Sequence, residues 1–143
     1  MSLAVIDLDD LKEINDTHGH LVGDQVLREL AARMKSQLRE EDLLARYAGD
    51  EFVAIFSAVD EGRALEIAER LLDGARRRPF EAESGAKIDL SLSIGVASYP
   101  SDARSSTGLL RAADMAMYVA KESGKNRVSS AGQSEHIRRR SNG

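Results

Sequence analysis

An unbroken apolar run at residues 3–6, Leu-Ala-Val-Ile, limits what this chain can fold into more than any other feature. A strand that faces solvent on one side alternates polar and apolar residues, whereas a strand covered on both faces is apolar throughout. The run ends at residues 7–10, Asp-Leu-Asp-Asp. The sequence therefore predicts a central strand between two covering layers, with acidic side chains at its carboxyl end.

The remainder of the chain alternates helical and strand patterns. Apolar residues at helical spacing predict helices at 22–38, 64–75 and 110–120, the first introduced by Gly23 and Asp24. Further strands are predicted at 43–47, 52–56, 88–96 and 127–128, the first two joined as a hairpin. The order β-α-β-β-α-β followed by α-β predicts an α+β fold of the ferredoxin-like, palm-type class with a mainly antiparallel central sheet.

The composition excludes several classes of function. The 143 residues contain no cysteine, which excludes disulfides, thiolate nucleophiles and cysteine-ligated zinc. A net charge of −4, with three Tyr and three Phe, argues against a nucleic-acid partner. No run of about 20 apolar residues is present, so no membrane contact and a cytoplasmic location are expected. Residues 1–130 are predicted to form one domain, and residues 131–143 a polar, basic tail or linker.

Two acidic clusters that are far apart in the sequence are predicted to meet. In the ferredoxin-like order the first strand lies antiparallel beside the third, so Asp7 comes close to Asp50 and Glu51. Together with Asp9, these side chains offer hard oxygen ligands, which suit Mg²⁺ or Mn²⁺. Two such ions can activate an attacking hydroxyl and stabilise a leaving pyrophosphate. The alternative, that these acids are solvated turn residues, is the commoner case for any one of them alone.

Four ordered blocks of the chain resemble one known family. They are residues 7–20 (DLDDLKEINDTHGH) with Gly23-Asp24, residues 46–52 (RYAGDEF), residues 93–96 (SIGV) and residues 113–121 (ADMAMYVAK). Their order and spacing are similar to those of the GGDEF family, and they cover residues 3–128 together with the strands around them. The resemblance implies a diguanylate cyclase, which joins two GTP molecules into cyclic di-GMP, releases pyrophosphate and is active as a pair of domains.

The resemblance also assigns the catalytic centre. It implies that Asp7, Asp50 and the backbone carbonyl of Leu8 hold the metal ions, Mg²⁺ or Mn²⁺. It implies Asp50, Glu51 and Lys12 as catalytic residues, with Glu51 helping to deprotonate the ribose 3′-hydroxyl. A carboxylate within hydrogen-bond reach of that hydroxyl can serve as its general base.

The guanine base is implied to bind between Asn15 and Asp24, with Leu27 packing against it. A carboxylate can accept both the ring N–H and the amino group of guanine, and adenine lacks that pair of donors. Without the neighbouring blocks, Asp24 would be explained equally well as a helix-start residue beside the helix dipole.

The remaining substrate-binding residues implied by the resemblance surround the phosphates: Lys12, Lys121, Lys125, Gly49 and the backbone amides of Asp10 and Leu11. Backbone N–H groups at a helix start and nearby ammonium groups both stabilise phosphate charge. A single lysine is usually a solvated surface residue. These lysines therefore become candidates through their place in the pattern.

Residues 39–42, Arg-Glu-Glu-Asp, have the RxxD spacing that precedes the hairpin in the family. The resemblance implies a product-inhibition site for cyclic di-GMP formed by Arg39, Asp42 and Arg70. Arginine side chains bind phosphate groups and guanine edges through two hydrogen bonds at once, and a cyclic dinucleotide presents both. The alternative is an ordinary surface ion pair at a helix end.

The chain departs from the family pattern in three places. Ala48 stands where the signature begins with glycine, and the alanine is expected to restrict the backbone and reduce activity. Lys125 stands where relatives often carry arginine. The positive charge is kept, but the paired hydrogen bonds of a guanidinium group are lost. The family's opening helix is absent, which points to a piece of a longer protein with an upstream sensory domain.

Two other functions stay open at this stage. One is a catalytically weak or inactive module that binds GTP or cyclic di-GMP and regulates a partner, which Ala48 and the missing helix favour. The other is a palm-type nucleotidyl transferase that acts on nucleic acid. The acidic charge balance and the few aromatic residues argue against this second alternative.

Overall fold

The computed structural model describes residues 1–132 of the chain. Their helices and strands follow in this order: β1 (Ser2–Leu8), α1 (Leu11–His18), α2 (His20–Gln37), β2 (Leu43–Ala48), β3 (Glu51–Phe56), α3 (Glu61–Arg76), β4 (Phe80–Glu81), β5 (Lys87–Ile88), β6 (Leu92–Ser98), α4 (Ser106–Glu122) and β7 (Arg127–Ser130).

Five strands form one sheet in the order β2-β3-β1-β6-β7, and β4 pairs with β5 in a separate small hairpin. β1 pairs antiparallel with both β3 and β6, whereas β6 and β7 are parallel. Every residue of β1 is buried, as its apolar sequence predicts. The predicted α+β class and the mainly antiparallel central sheet are confirmed.

Helices cover both faces of the sheet. α2 and α3 pack on one face in a core that includes Ile6 and Leu30, and α4 packs on the other face against Val5. α4 approaches so closely that a Cβ atom at Gly95 of β6 would overlap the helix backbone at Ala113. The glycine of the SIGV block is therefore required by packing.

The short helix α1 was not predicted from the sequence. Its only apolar residues are Leu11 and Ile14, which is too few for a recognisable helical pattern. Gly19, with a φ of 91°, separates α1 from α2. As a result α2 begins at His20, before the predicted start near Gly23.

The strand predicted at 88–96 is divided in the structure. Ile88 and Leu90 are buried, as the alternating pattern requires, but the strand of the main sheet begins only at Leu92. The register explains this start, because β1 ends at Leu8, directly opposite Leu92. Residues 87 and 88 pair with β4 instead.

At the carboxyl end, β7 extends to Ser130, two residues beyond the predicted strand. Ala131 is also buried and packs against the core under α4. Most of the predicted tail, residues 133–143, lies outside the described residues. Within residues 1–132, no helix has both the length and the apolar character needed to cross a membrane.

Candidate active site

The end of β1 lies beside the hairpin formed by β2 and β3. In the register of β1 and β3, Asp7 is opposite Glu51, and the backbone N–H of Leu8 donates to the carbonyl of Asp50 at 3.4 Å. The fold thus brings together the three predicted metal-binding residues and Glu51, although the two segments are distant in the sequence.

Asp7 is 4% exposed, so its carboxylate needs partners inside the protein. Its Oδ2 atom forms an ion pair with Nζ of Lys121 on α4. Its Oδ1 atom is buried and has no hydrogen-bond partner. A buried polar group without a partner costs about 1–3 kcal/mol. This oxygen is therefore placed to accept a cation or a hydrogen-bond donor from a ligand.

Burial raises the pKa of Glu51, and the neighbouring carboxylates of Asp114 and Asp50 raise it further. A carboxylate with a raised pKa binds a proton closer to neutral pH, which suits a group that exchanges a proton with a substrate. Asp114 is not among the residues predicted from the sequence, although it lies in the family-like segment 113–121. Only the packing of α4 against the sheet brings its charge close to Glu51.

Two predicted phosphate-binding lysines lie at the carboxyl end of α4. Burial lowers the pKa of Lys121, and the charge of nearby Lys125 lowers it further. A hydrogen bond of 2.6 Å from Lys125 Nζ to Oδ1 of Asp10 raises the pKa of Lys125. Asp10 immediately precedes α1, and exposed Lys12 lies in its first turn. The predicted phosphate-binding groups therefore gather where β1 meets α1.

Asp9 accepts hydrogen bonds from three protein donors. Its Oδ1 accepts a hydrogen bond from Ser93 Oγ at 2.6 Å. Its Oδ2 accepts from Ser91 Oγ at 2.6 Å and from the backbone N–H of Asn126 at 3.0 Å. Protein donors thus engage both oxygens of Asp9 in this structure, and its place as a metal ligand stays a prediction.

The predicted guanine-binding residues lie at the corner between α1 and α2. Asn15 packs so closely on Gly23 that a Cβ atom there would overlap its Oδ1, and this oxygen is buried without a hydrogen-bond partner. Asp24 follows Gly23 and is exposed, and Leu27, one turn further on, is buried. Because α2 begins at His20, Asp24 does not lie at a helix start, which removes the alternative explanation for it.

Arg39, Asp42 and Arg70 also come together. Asp42 accepts hydrogen bonds from the Arg39 backbone N–H at 2.9 Å, from Nε at 3.2 Å and from Nη2 at 2.9 Å. These hydrogen bonds lower the pKa of Asp42, and the charge of Arg70 lowers it as well. A cavity of about 670 Å³ between α2 and β2 is lined by Arg39 and Asp42 and also by Leu27 of the predicted guanine site.

A comparison with known protein families tests the resemblance. The family described as "Diguanylate cyclase, GGDEF domain" matches residues 1–127. The chain belongs to the GGDEF family.

Individual relatives agree with this assignment. The chain is 40% identical to diguanylate cyclase A of Treponema denticola over 90% of this chain and 34% of that protein. It is 43% identical to diguanylate cyclase TpbB of Pseudomonas aeruginosa over 85% of this chain and 28% of that protein. The chain thus spans about a third or less of the curated relatives it matches.

Solved GGDEF domains have the same fold. The GGDEF domain of PA1120 (YfiN or TpbB) from Pseudomonas aeruginosa superposes with a TM-score of 0.88 at 40% identity, covering 90% of this chain and 80% of that one. The GGDEF domain of DgcB from Caulobacter crescentus, in complex with c-di-GMP, gives a TM-score of 0.86 at 32% identity, covering 92% and 77%.

The GGDEF signature reads Ala-Gly-Asp-Glu-Phe in this chain and lies on the β2–β3 hairpin. Gly49 has a φ of 37°, a left-handed conformation that glycine adopts readily. Ala48 pairs with Glu51 at the end of β2 and does not have a positive φ. The backbone restriction expected at Ala48 is therefore no obstacle to this hairpin, because its conformation is open to any residue.

GGDEF cyclases are generally dependent on a divalent metal. Among residues 1–132, no group of three or more His, Cys, Asp or Glu side chains is arranged to hold a metal ion. Mg²⁺, however, commonly binds one or two carboxylates and completes its shell with substrate phosphates and water. Asp7 fits this role, because its Oδ1 atom is buried without a partner. The residues present therefore fit a metal that binds together with a nucleotide.

Proposed function

We propose that this GGDEF domain condenses two molecules of GTP into cyclic di-GMP. The observation that carries the proposal is the register that sets Asp7 opposite Glu51 and next to Asp50, together with a buried Asp7 oxygen that has no partner. Lysines that can neutralise phosphate lie directly beside them. The relatives named as diguanylate cyclases, at about 40% identity, support the same reaction.

Each half of the proposed reaction forms one phosphodiester bond. The 3′-oxygen of one GTP attacks the α-phosphorus of the other, the bond from that phosphorus to the β-phosphate breaks, and pyrophosphate leaves. The proton of the 3′-hydroxyl passes to the carboxylate of Glu51. Mg²⁺ or Mn²⁺, held by Asp7, Asp50 and the Leu8 carbonyl, would neutralise charge on the reacting phosphates.

In this proposal the lysines exchange their carboxylate partners for the phosphates of GTP. Lys121 and Lys125 now form ion pairs with Asp7 and Asp10. An incoming triphosphate carries more negative charge than these carboxylates, so both ammonium groups can turn to it while Lys12 and the α1 amides bind it from the other side. The carboxylates thus keep the lysines close to the place where phosphate is needed.

Specificity for GTP is proposed to come from the α1–α2 corner. Asn15 Oδ1 is a buried acceptor without a partner, and the donors of a guanine edge would satisfy it. Asp24 adds a carboxylate that matches the paired N–H groups of guanine, and Leu27 supplies an apolar surface for the ring. Adenine would leave these acceptors unsatisfied.

A second proposed site, formed by Arg39, Asp42 and Arg70, binds the product and inhibits the enzyme. The charges of these residues lie close together, and Arg39 is partly exposed, so its guanidinium can reach a phosphate or a guanine edge. The solved relative DgcB was obtained with c-di-GMP bound, which supports a product-binding surface in the family.

The proposed reaction also defines partners. One domain orients one GTP, so ring closure needs a second copy of the domain facing the first. An upstream sensory domain would control this meeting in a longer protein. The relative SiaD from Pseudomonas aeruginosa was solved with its activator SiaC, which shows that a partner protein can act on such an enzyme. A cytoplasmic location stays a prediction.

A second candidate function is a regulatory module that binds GTP without turning it over. The Lys121–Asp7 ion pair favours it, because the ammonium group competes with a metal ion for the same carboxylate. Incubation with GTP and MgCl₂, followed by chromatography, separates the two. Cyclic di-GMP, with two pyrophosphates released per ring, supports the cyclase, and Glu51→Gln should form it far more slowly. Unchanged GTP that stays bound to the parent protein would favour the regulatory module instead.

A further inference from the structure

We propose that Asp9 is a positioning residue that holds the phosphate-binding lysines in register with the catalytic end of β1. The inference rests on the proposed function, since it concerns the same site. It assigns a role to a carboxylate that directly follows β1 and whose two oxygens are both hydrogen-bonded to protein donors.

Asp9 joins three segments that meet only in the folded protein. Its carboxylate accepts hydrogen bonds from Ser91, just before β6, from Ser93 in β6, and from the backbone of Asn126 after α4. Its own backbone N–H donates to the carbonyl of Ser91 at 3.0 Å. Hydroxyl donors at 2.6 Å are short, as expected for bonds to a charged oxygen. Asp9 is therefore well ordered and links neighbouring segments.

The segment after α4 needs such an anchor. α4 ends in a Schellman motif, with the Lys125 N–H donating to the Ala120 carbonyl and the Gly124 N–H to the Lys121 carbonyl. Gly124, Lys125 and Asn126 all have positive φ values, at 121°, 63° and 51°. Residues other than glycine adopt this region only at a cost, so tertiary contacts must hold them there.

Lys125 lies in the anchored segment, and Lys121 lies in the last turn of α4, just before it. Lys121 reaches Asp7 and Lys125 reaches Asp10, so the lysines contact the residues on either side of the Leu8–Asp9 pair. The Asn126 N–H that binds Asp9 follows Lys125 directly. Because Asp9 fixes this turn to β1, it sets where both ammonium groups stand relative to the metal ligand and the α1 amides.

Amide hydrogen exchange tests the positioning itself and does not depend on nucleotide. In Asp9→Ala we expect the Asn126 amide to exchange about tenfold faster or more, because its acceptor is lost. Asp9→Asn keeps an acceptor oxygen of the same size and should restore most of the protection. Asp102→Ala is the matched control: Asp102 accepts from the Ser98 N–H at 2.8 Å at the opposite end of β6. It should leave the Asn126 exchange rate unchanged.

Calorimetry with GTP and with guanosine tests the consequence. Guanosine carries the base without the phosphates, so it should bind all variants equally. GTP affinity should fall by about 10–100-fold in Asp9→Ala and recover largely in Asp9→Asn. Equal losses for both ligands, or unchanged GTP affinity, would overturn the positioning role. If Asp9→Ala does not fold, Asp9→Asn is the test. It should weaken GTP binding more than guanosine binding, although by less than is expected for Asp9→Ala. No difference between the two ligands would overturn the proposal.

The two measurements also separate this inference from the proposed function. A parent protein that binds no GTP would remove the cyclase proposal, while faster Asn126 exchange would still support Asp9 as the anchor of the turn. A parent that makes cyclic di-GMP, with Asn126 exchange unaffected by Asp9→Ala, would overturn the anchor alone.

Discussion

Within residues 1–132, the acids and bases at the end of β1 and those at the RxxD segment form two clusters that are built in opposite ways. At the end of β1, Asp7 keeps a buried oxygen without a partner, and burial raises the pKa of Glu51 and lowers that of Lys121. At the RxxD segment, Asp42 accepts three hydrogen bonds from Arg39, and its pKa is lowered. Burial thus disfavours the charged forms of Glu51 and Lys121 in the first cluster, whereas hydrogen bonds stabilise the charged form of Asp42 in the second.

The difference indicates what each cluster contributes. Charges that the fold leaves poorly compensated cost stability, and they are retained where a ligand can compensate them. A mutually satisfied pair stabilises the protein by itself and can bind a ligand without first being assembled. Removing an acid from the first cluster should therefore abolish activity without lowering the stability of the protein. Removing an acid from the second cluster should lower that stability and leave the catalysed reaction intact.

The largest effect is expected for Glu51→Gln. Without its carboxylate, cyclase activity should fall by about 10²–10⁴-fold, the usual contribution of a general base. The melting temperature should not decrease, because the variant removes a charge that burial disfavours. The control is Glu81→Gln, an exposed strand glutamate of the small hairpin. A Glu51→Gln variant that is both active and less stable would reverse the assignment of this cluster.

The next effect concerns the guanine site. Asp24→Ala should lower GTP affinity by about 1.5–3 kcal/mol, or roughly 10–150-fold, because a charge-assisted hydrogen bond is lost. Calorimetry with GTP and ATP on the parent and the variant checks it, with exposed Glu66→Ala as a control. If the parent binds ATP as tightly as GTP, Asp24 does not select the base.

At the second cluster, Arg39→Ala should weaken cyclic di-GMP binding by about tenfold or more, while GTP binding changes little. The matched control is Arg63→Ala, which breaks an exposed ion pair with Glu66 on α3. Product binding that instead follows substitutions at Asp50 would place the inhibitory site at the catalytic cluster.

A smaller effect should distinguish the two clusters by pH. Because the pKa of Asp42 is lowered in the folded state, its contribution to stability is present above the ordinary value of 3.8 and is lost as pH falls through the folded value. Asp42→Asn should therefore lower the melting temperature at neutral pH by a few degrees, and the gap should close in acid. Glu51→Gln should show the opposite trend: its melting temperature should rise relative to that of the parent protein as pH increases above 4.5. Asp73→Asn, which removes an exposed ion pair with Arg76, serves as the control for loss of a surface carboxylate.

Much of this arrangement could be predicted from the sequence. The apolar run 3–6 fixes a central strand, and the order of elements then places Asp7 opposite Glu51. The proposed role of Asp9 could not be predicted from the sequence. An aspartate that binds a metal ion and an aspartate that anchors a turn are the same residue type at the same end of a strand. Only Ser91 before β6, Ser93 in β6 and the turn after α4 distinguish them. The charge of Asp114 near Glu51 likewise depends on helix packing, which no local pattern encodes.

In the proposed reaction, two copies of this domain must meet to close the ring. Nothing in the described sheet or helices ties two copies together covalently, so pairing of isolated domains depends on concentration. Initial rates of cyclic di-GMP formation, measured over about a hundredfold range of protein concentration with sedimentation in parallel, test this claim most directly. We expect a largely monomeric protein. Its initial rate of cyclic di-GMP formation should rise more nearly with the square of the protein concentration than linearly with it. Constant specific activity from a stable monomer would contradict it.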